Sequence, residues 1–157
     1  MIKKSKTGRR SDREHVFRML FTLEFCENPS AQAVYDGYVS SFCENKEGEE
    51  SPDELPSIES ADFVLRELSG VITLLDEIDG LIGKFSESWE VSRMPITDIS
   101  IMRLAVYEIL CEPDIPVSVS INEAVELAKL YGGDNSPAFV NGILGRFEKN
   151  IKNVPGI

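Results

Sequence analysis

Apolar residues recur along this chain at spacings of three and four, the pattern of helices that each bury one face. Between Ser11 and Glu27, Val16, Phe17, Leu20, Leu23 and Phe25 fall roughly on one stripe. A capping box, Ser11-x-x-Glu14, opens that helix, and Asn28-Pro29 stops it. Ser30 then caps a shorter helix with Val34, Tyr38 and Phe42 on one side. From Ala61 to Phe85 the stripe Ala61, Val64, Leu68, Val71, Leu75, Ile78, Ile82 and Phe85 predicts one continuous helix of about six turns, the spine of the molecule. Pro95 and Thr97 precede a further helix from about Asp98 to Glu112, containing Ile101, Met102, Leu104, Ala105, Ile109 and Leu110 and ended by Pro113 and Pro116.

Two more helices follow. Ser120 with Glu123 reads as a capping box that starts the first, and Gly132 after Tyr131 as its left-handed C-terminal stop. Ser136-Pro137 restarts the chain with an N-cap and a proline at the first helical position. Ile121, Ala124, Val125, Ala128 and Tyr131 are expected to face inward on the first of this pair, and Val140, Ile143, Leu144 and Phe147 on the second. A polar corner lies between them, and the N–H groups and dipole of the second helix suit an anion there. The only alternation of strand type, Val117 to Ile121, runs straight into the Ser120 pattern. The fold class is therefore all-α: a bundle of about six to seven helices in two small subdomains, two helices before an acidic linker at about 44–58 and about four after it.

Charge divides the chain further. The net charge is −11, from 16 basic and 27 acidic residues. Lys3, Lys4, Lys6, Arg9 and Arg10 make residues 1–10 a basic arm of +5 without an acid, and the 11 basic residues remaining against 27 acidic ones leave a body of −16. Arg13 and Arg18 carry positive charge into the first helix. Arg9, Arg10 and Arg13 lie within about one turn, a cluster able to grip phosphates. Residues 11–150 read as the helical domain and 151–157 as a C-terminal tail. Three widely spaced cysteines, Cys26, Cys43 and Cys111, fit buried or partly buried reduced thiols, not a disulfide framework or a zinc site. There is no secretory signal and no run of 18 apolar residues, so a cytoplasmic protein off the membrane is expected.

Catalytic chemistry is not indicated. The single histidine, His15, has no metal-ligand partner at i+3 or i+4 and is expected at the surface or half-buried. No phosphate-binding loop, dinucleotide fingerprint or nucleophile elbow is present, and the carboxylates are those of any acidic helix. No catalytic residue, metal or cofactor is assigned.

Several blocks nonetheless resemble the NusB family of bacterial transcription antitermination proteins. They are Arg9-Arg10-x-x-Arg13-Glu14, Trp89-x-x-x-Arg93, Arg103-Leu-Ala-Val-Tyr107-Glu108-Ile, Ile121-Asn122-Glu123-Ala124-Val-Glu-Leu-Ala-Lys129 and Ser136-x-x-Phe139-Val140-Asn141-Gly142. The resemblance spans about residues 9–147, is weak from Asn28 to Ile58, and is most specific in the last third. It implies a binding module that recognises boxA of nascent ribosomal RNA transcripts together with NusE, a small-subunit ribosomal protein, within the RNA polymerase antitermination complex. Carried over residue by residue, it places RNA contacts at Arg9, Arg10, Arg13, Phe21, Ser136 and Phe139. Phe21 stands where the family has a tyrosine, Ser11 and Asp12 where members often have a basic residue and an alanine, and Ala138 where a basic residue is common. The alternative is a protein-only helical adaptor, or a homodimer through the heptad-like spine, in which the basic arm is incidental.

Overall fold

The computed structural model describes residues 8–44, 56, 58–87 and 89–153. Lys3, Lys4 and Lys6, most of the acidic segment 44–58, the side chain of Phe42 and the end of the tail lie outside these residues. Seven α-helices and three short 3-10 turns make up the described part, and no strand occurs within it. The chain forms two compact units, Met1–Ile72 and Thr73–Ile157.

In the first unit α1 spans Arg9–Thr22, α2 Ala31–Glu44 and α3 Ile58–Thr73, whose last residue belongs to the second unit. The start of α1 departs from expectation: its N-cap is Gly8, with no side-chain cap, and Ser11 lies inside the first turn donating its N–H to the Gly8 carbonyl at 3.0 Å. Asp12 in that turn complements the helix dipole and pairs with Arg9 at 3.1 Å, so the helix reaches back past the serine. Val16, Phe17, Met19, Leu20 and Leu23 are buried. Phe25, expected on the same stripe, is 72% exposed. It ends a 3-10 turn, Leu23–Phe25, whose tighter winding carries it off the α-helical face. The Ser30 cap is present, its Oγ accepting from the Ala33 N–H at 3.1 Å. His15 is buried, not at the surface, and ties α1 to α2 through its Nδ1, 2.7 Å from the Tyr38 hydroxyl.

The spine is not one helix. Val64, Leu68, Val71, Ile78, Ile82 and Phe85 are buried as the stripe requires. At Leu74, however, the backbone leaves the helical region (φ −102, ψ 19), and α4 begins anew at Leu75, running to Phe85. Three β-branched residues in succession, Val71-Ile72-Thr73, weaken the helix just before the break, while Asp76 and Glu77 supply the acidic first turn that a new helix favours. The junction between the two units therefore falls at residues 72–73, not in the acidic segment. The same break interrupts the seam that a coiled-coil dimer would need.

The second unit continues with α5 Ile96–Cys111, α6 Val117–Tyr131 and α7 Ser136–Asn150. Helix α5 packs against α4, α6 and α7. Its residues from Asp98 to Glu108 are buried without interruption, a setting that makes an unpartnered charge costly, and two of its charged side chains are matched from neighbouring helices. Arg103 holds Asp79 of α4 through two parallel bonds of 2.8 Å from Nε and Nη2. Glu108, 1% exposed, accepts a 2.8 Å bond from the hydroxyl of Ser120 on α6. Ser120 is thus not the cap the sequence suggests. Helix α6 starts three residues earlier behind Pro116, whose carbonyl accepts the Val119 and Ser120 N–H groups. A backbone N–H at a helix end can be satisfied by other means, whereas a carboxylate this deeply buried needs a donor.

Two substitutions separate these roles. As an N-cap, aspartate would serve at position 120 as well as serine does. Facing Glu108 it brings two carboxylates together, so Ser120→Asp is expected to destabilise the protein more than Ser120→Ala, itself costing about 1–3 kcal/mol for the stranded acceptor. Urea denaturation of both variants checks the order.

Candidate nucleic-acid interface

Helix α1 carries four arginines against Asp12 and Glu14, and its twist sorts them onto different faces. Arg9 is exposed but held at both ends: beyond its bond to Asp12, its guanidinium lies 3.9 Å from the centre of the Phe63 ring on α3. The same ring has the exposed Arg66 guanidinium 5.5 Å away, a cation the sequence pattern did not single out. Arg13 is only 6% exposed. Arg10 is exposed, on the side of the helix that carries Glu14, Arg18 and Phe21. Arg18 pairs with Glu14 at 3.2 Å, and the half-buried Phe21 ring lies 6.0 Å from that of the exposed Phe25. The arginine cluster expected from spacing is therefore divided, Arg13 being enclosed and Arg9 anchored. The outward side of α1 interleaves Arg10 and Arg18 with Phe21 and Phe25 over roughly 20 Å at 1.5 Å per residue. Cations beside exposed aromatic rings are the surface that holds a single-stranded nucleic acid, by phosphate attraction and base stacking.

The second region lies wholly in the second unit, at the corner between α6 and α7. Gly132 ends α6 with extended backbone (φ −87, ψ 176), so the expected left-handed stop is absent. Close approach requires glycine there instead. A Cβ would collide with the Ser136 side chain and come within 2.8 Å of the Ala128 carbonyl oxygen. Helix α7 starts at Ser136 with Asn135 as N-cap and Pro137 in its first turn, one residue off the expected register. The Ser136 hydroxyl, buried, accepts a 3.0 Å bond from the Gly133 N–H, closing the turn behind it and leaving the start of α7 without a side-chain cap.

The corner forms an open cavity of about 390 Å³. Trp89, Tyr131 and Phe139 form its aromatic wall, with the Trp89 and Phe139 rings edge to face at 5.8 Å. Tyr131, expected to point into the core, stands exposed at the rim, and Phe139 is half-buried. The charged side chains lining the space are Asp98 and Asp134, without a basic one. That lining does not suit the anion expected at this helix start. A carboxylate pair repels phosphate, and the space instead favours a flat group that stacks and donates hydrogen bonds. Trp89 and Asp98 enter the site from segments far from α7 in sequence, and no local spacing linked them to it.

Cys26 and Cys111 are both exposed, contrary to the expectation of buried thiols, because they follow the ends of the regular apolar stripes of α1 and α5. No group of three or more metal-ligating side chains occurs among the described residues, and none of their helices is long and apolar enough to cross a membrane.

Comparison with known proteins gives a consistent result. The model of the NusB family matches residues 10–149. A transcription antitermination protein NusB from Agathobacter rectalis is 44% identical over 135 residues, covering 86% of this chain and 95% of the relative. Its counterpart from Lachnoclostridium phytofermentans is 41% identical, covering 88% and 96%. Among solved structures, T. maritima NusB aligns with a TM-score of 0.73 at 34% identity over 90% of this chain and 91% of that one. A complex of antitermination factors NusB and NusE with dsRNA contains a chain sharing the fold, with a TM-score of 0.73 at 18% identity, covering 90% of this chain and 96% of that one.

The corner itself is testable. Gly132→Ala is expected to lower stability by about 1–3 kcal/mol through overpacking against a fixed carbonyl. Ser136→Ala, which removes one hydrogen bond and adds no bulk, should cost about 1 kcal/mol, and thermal or urea unfolding of the pair checks the ranking.

Proposed function

The chain belongs to the NusB family, and from that premise we propose that it is an RNA-binding transcription antitermination factor. It binds boxA of nascent ribosomal RNA transcripts together with NusE and so promotes transcription through ribosomal RNA operons as part of the RNA polymerase antitermination complex. The observation that carries this function is the 44% identity to an antitermination protein over 95% of that relative's length. Acting on nascent transcripts, the protein works in the cytoplasm and as a binding module, not an enzyme.

The side chains divide the work in a way the charge balance supports. Arg10, on the outward side of α1, meets phosphates, with Arg9 and Arg66 flanking from beside Phe63. Phe21 offers a ring edge or face to a base, and Phe139 with Trp89 offers a second stacking site at the corner of α6 and α7. Arg13 and Ser136, being buried, support these surfaces from within without touching RNA. A body of strongly negative net charge complements a basic ribosomal protein, which in turn adds the positive surface that a lone −11 chain lacks for holding RNA.

The test is a fluorescence-anisotropy titration of boxA RNA and a scrambled control, each with and without NusE, at two salt concentrations. Preference for boxA that sharpens with NusE is the expected result. Equal binding of both RNAs with tight NusE binding retained would leave a protein-only adaptor. Within the same assay, Arg10→Ala is expected to weaken boxA binding and flatten the logarithmic salt slope by about one unit. Arg13→Ala is expected to lower stability while the slope stays closer to wild type.

A further inference from the structure

Two guanidinium groups meet over one ring in the first unit. Phe63 of α3 is buried, and the Arg9 guanidinium of α1 lies 3.9 Å from its ring centre. Arg66, exposed and one turn further along α3, brings its own guanidinium to 5.5 Å from the same centre. The separation of the two charges therefore cannot exceed the sum of those two distances. Like charges held this close repel, and an anion between them relieves the repulsion. Each ring contact also restricts a long side chain that would otherwise sample many rotamers, so less ordering is left to be done when the anion binds. Arg9 keeps 55% of its side chain exposed, and Asp12 accepts one bond, at 3.1 Å, from a guanidinium that carries five N–H donors, so donors remain for a ligand.

We propose that Arg66 is a further RNA-contacting residue and that, with Arg9 across the Phe63 ring, it seats the sugar–phosphate backbone without reading a base. This assignment rests on the RNA-binding function above and deepens it by adding a residue outside the blocks shared with the family and by stating the chemistry of its contact. A phosphate fits because its oxygens accept from the planar fork of a guanidinium two donors at a time. A lone carboxylate of a protein partner satisfies one such fork. Two neighbouring forks call for an anion that turns oxygens in several directions or repeats along a chain, as a nucleic-acid backbone does. Arg10, exposed and next to Arg9 on α1, adds a third cation beside the pair. Bases go unread here for a physical reason. The Phe63 ring is buried with Arg9 against it, which denies a base the open face that stacking requires, and contacts to phosphate carry no sequence information. Phe63 is thus a positioning residue, acting on RNA only through the two arginines.

The experiment measures binding of boxA RNA and a scrambled control by fluorescence anisotropy over a salt series, in the presence of NusE, with the affinity of each variant for NusE measured separately. Arg66→Ala is expected to weaken both RNAs by the same factor, about five- to tenfold, and to flatten the logarithmic salt slope by about one unit, leaving the preference for boxA unchanged. Arg66→Lys, which keeps the charge without the fork, should restore the slope and only part of the affinity. Phe63→Leu keeps both cations and a buried apolar side chain, so affinity should fall about two- to fivefold, the worth of an exposed cation–ring contact, with the slope close to wild type. Wild-type affinity and slope in Arg66→Ala, beside a loss in Arg10→Ala, overturn the proposal and leave the RNA-binding function standing. A loss confined to boxA overturns the backbone assignment in favour of base reading. Weaker NusE binding with RNA affinity unchanged overturns it in favour of a protein contact. No binding of any RNA by the wild-type protein, with or without NusE, overturns both. If Phe63→Leu fails to fold, the two Arg66 variants, at an exposed position, decide alone.

Discussion

The structure of the second unit depends on the burial of α5 from Asp98 to Glu108. A buried stretch of helix has no solvent to turn its charged residues toward, so a partner on a neighbouring helix is strongly stabilising there. Arg103 is matched by Asp79 of α4 and Glu108 by Ser120 of α6. These are directional contacts between groups that cannot be left alone, and they orient α4 and α6 about α5 in a way that apolar packing by itself would leave looser. Helix α7 is tied in separately. Arg146 donates to the Phe85 carbonyl at 2.7 Å while the Phe147 and Phe85 rings pack at 5.7 Å.

The corner between α6 and α7 inherits its geometry from this arrangement. The first turn of α5 delivers Asp98 to one side of the cavity, and the segment after α4 delivers Trp89 to another. Gly132 lets the chain fold tightly enough for Phe139 to meet Trp89. In the first unit the arrangement differs in kind. There an outward helix side offers charge and aromatic rings to solvent, a surface suited to adjustable electrostatic contact with a backbone.

The division among the arginines of α1 follows from position on the helix, not from composition. Residues four apart share a face, so Arg13 follows Arg9 toward the side that buries Val16, Phe17 and Leu20, and Arg9 at the helix end bends onto Phe63. Arg10 is turned about 100° away and remains outside. A basic run on a helix is in this sense two different things, since Arg13 is enclosed while Arg9 and Arg10 remain at the surface.

What the chain determined by itself is the set of helices and their inward stripes, since a period of 3.6 is a local property and Val64, Leu68, Val71, Ile78, Ile82, Ile121, Ala124, Val140, Ile143 and Leu144 are buried as that period demands. The family blocks, being contiguous, were legible for the same reason. Tertiary structure decided where polar residues spend their hydrogen bonds. Ser120 has the spacing of a cap, but the nearest unsatisfied acceptor is a carboxylate twelve residues back, and a hydroxyl goes where the unmet group is most deeply buried. The break at Leu74 was signalled only weakly, by a β-branched run and an acidic turn that an uninterrupted apolar stripe outweighed. The cavity was not legible at all as a unit, because residues 89, 98 and 131–139 meet only once α5 is enclosed, and no local pattern encodes which distant segments a buried helix will bring together.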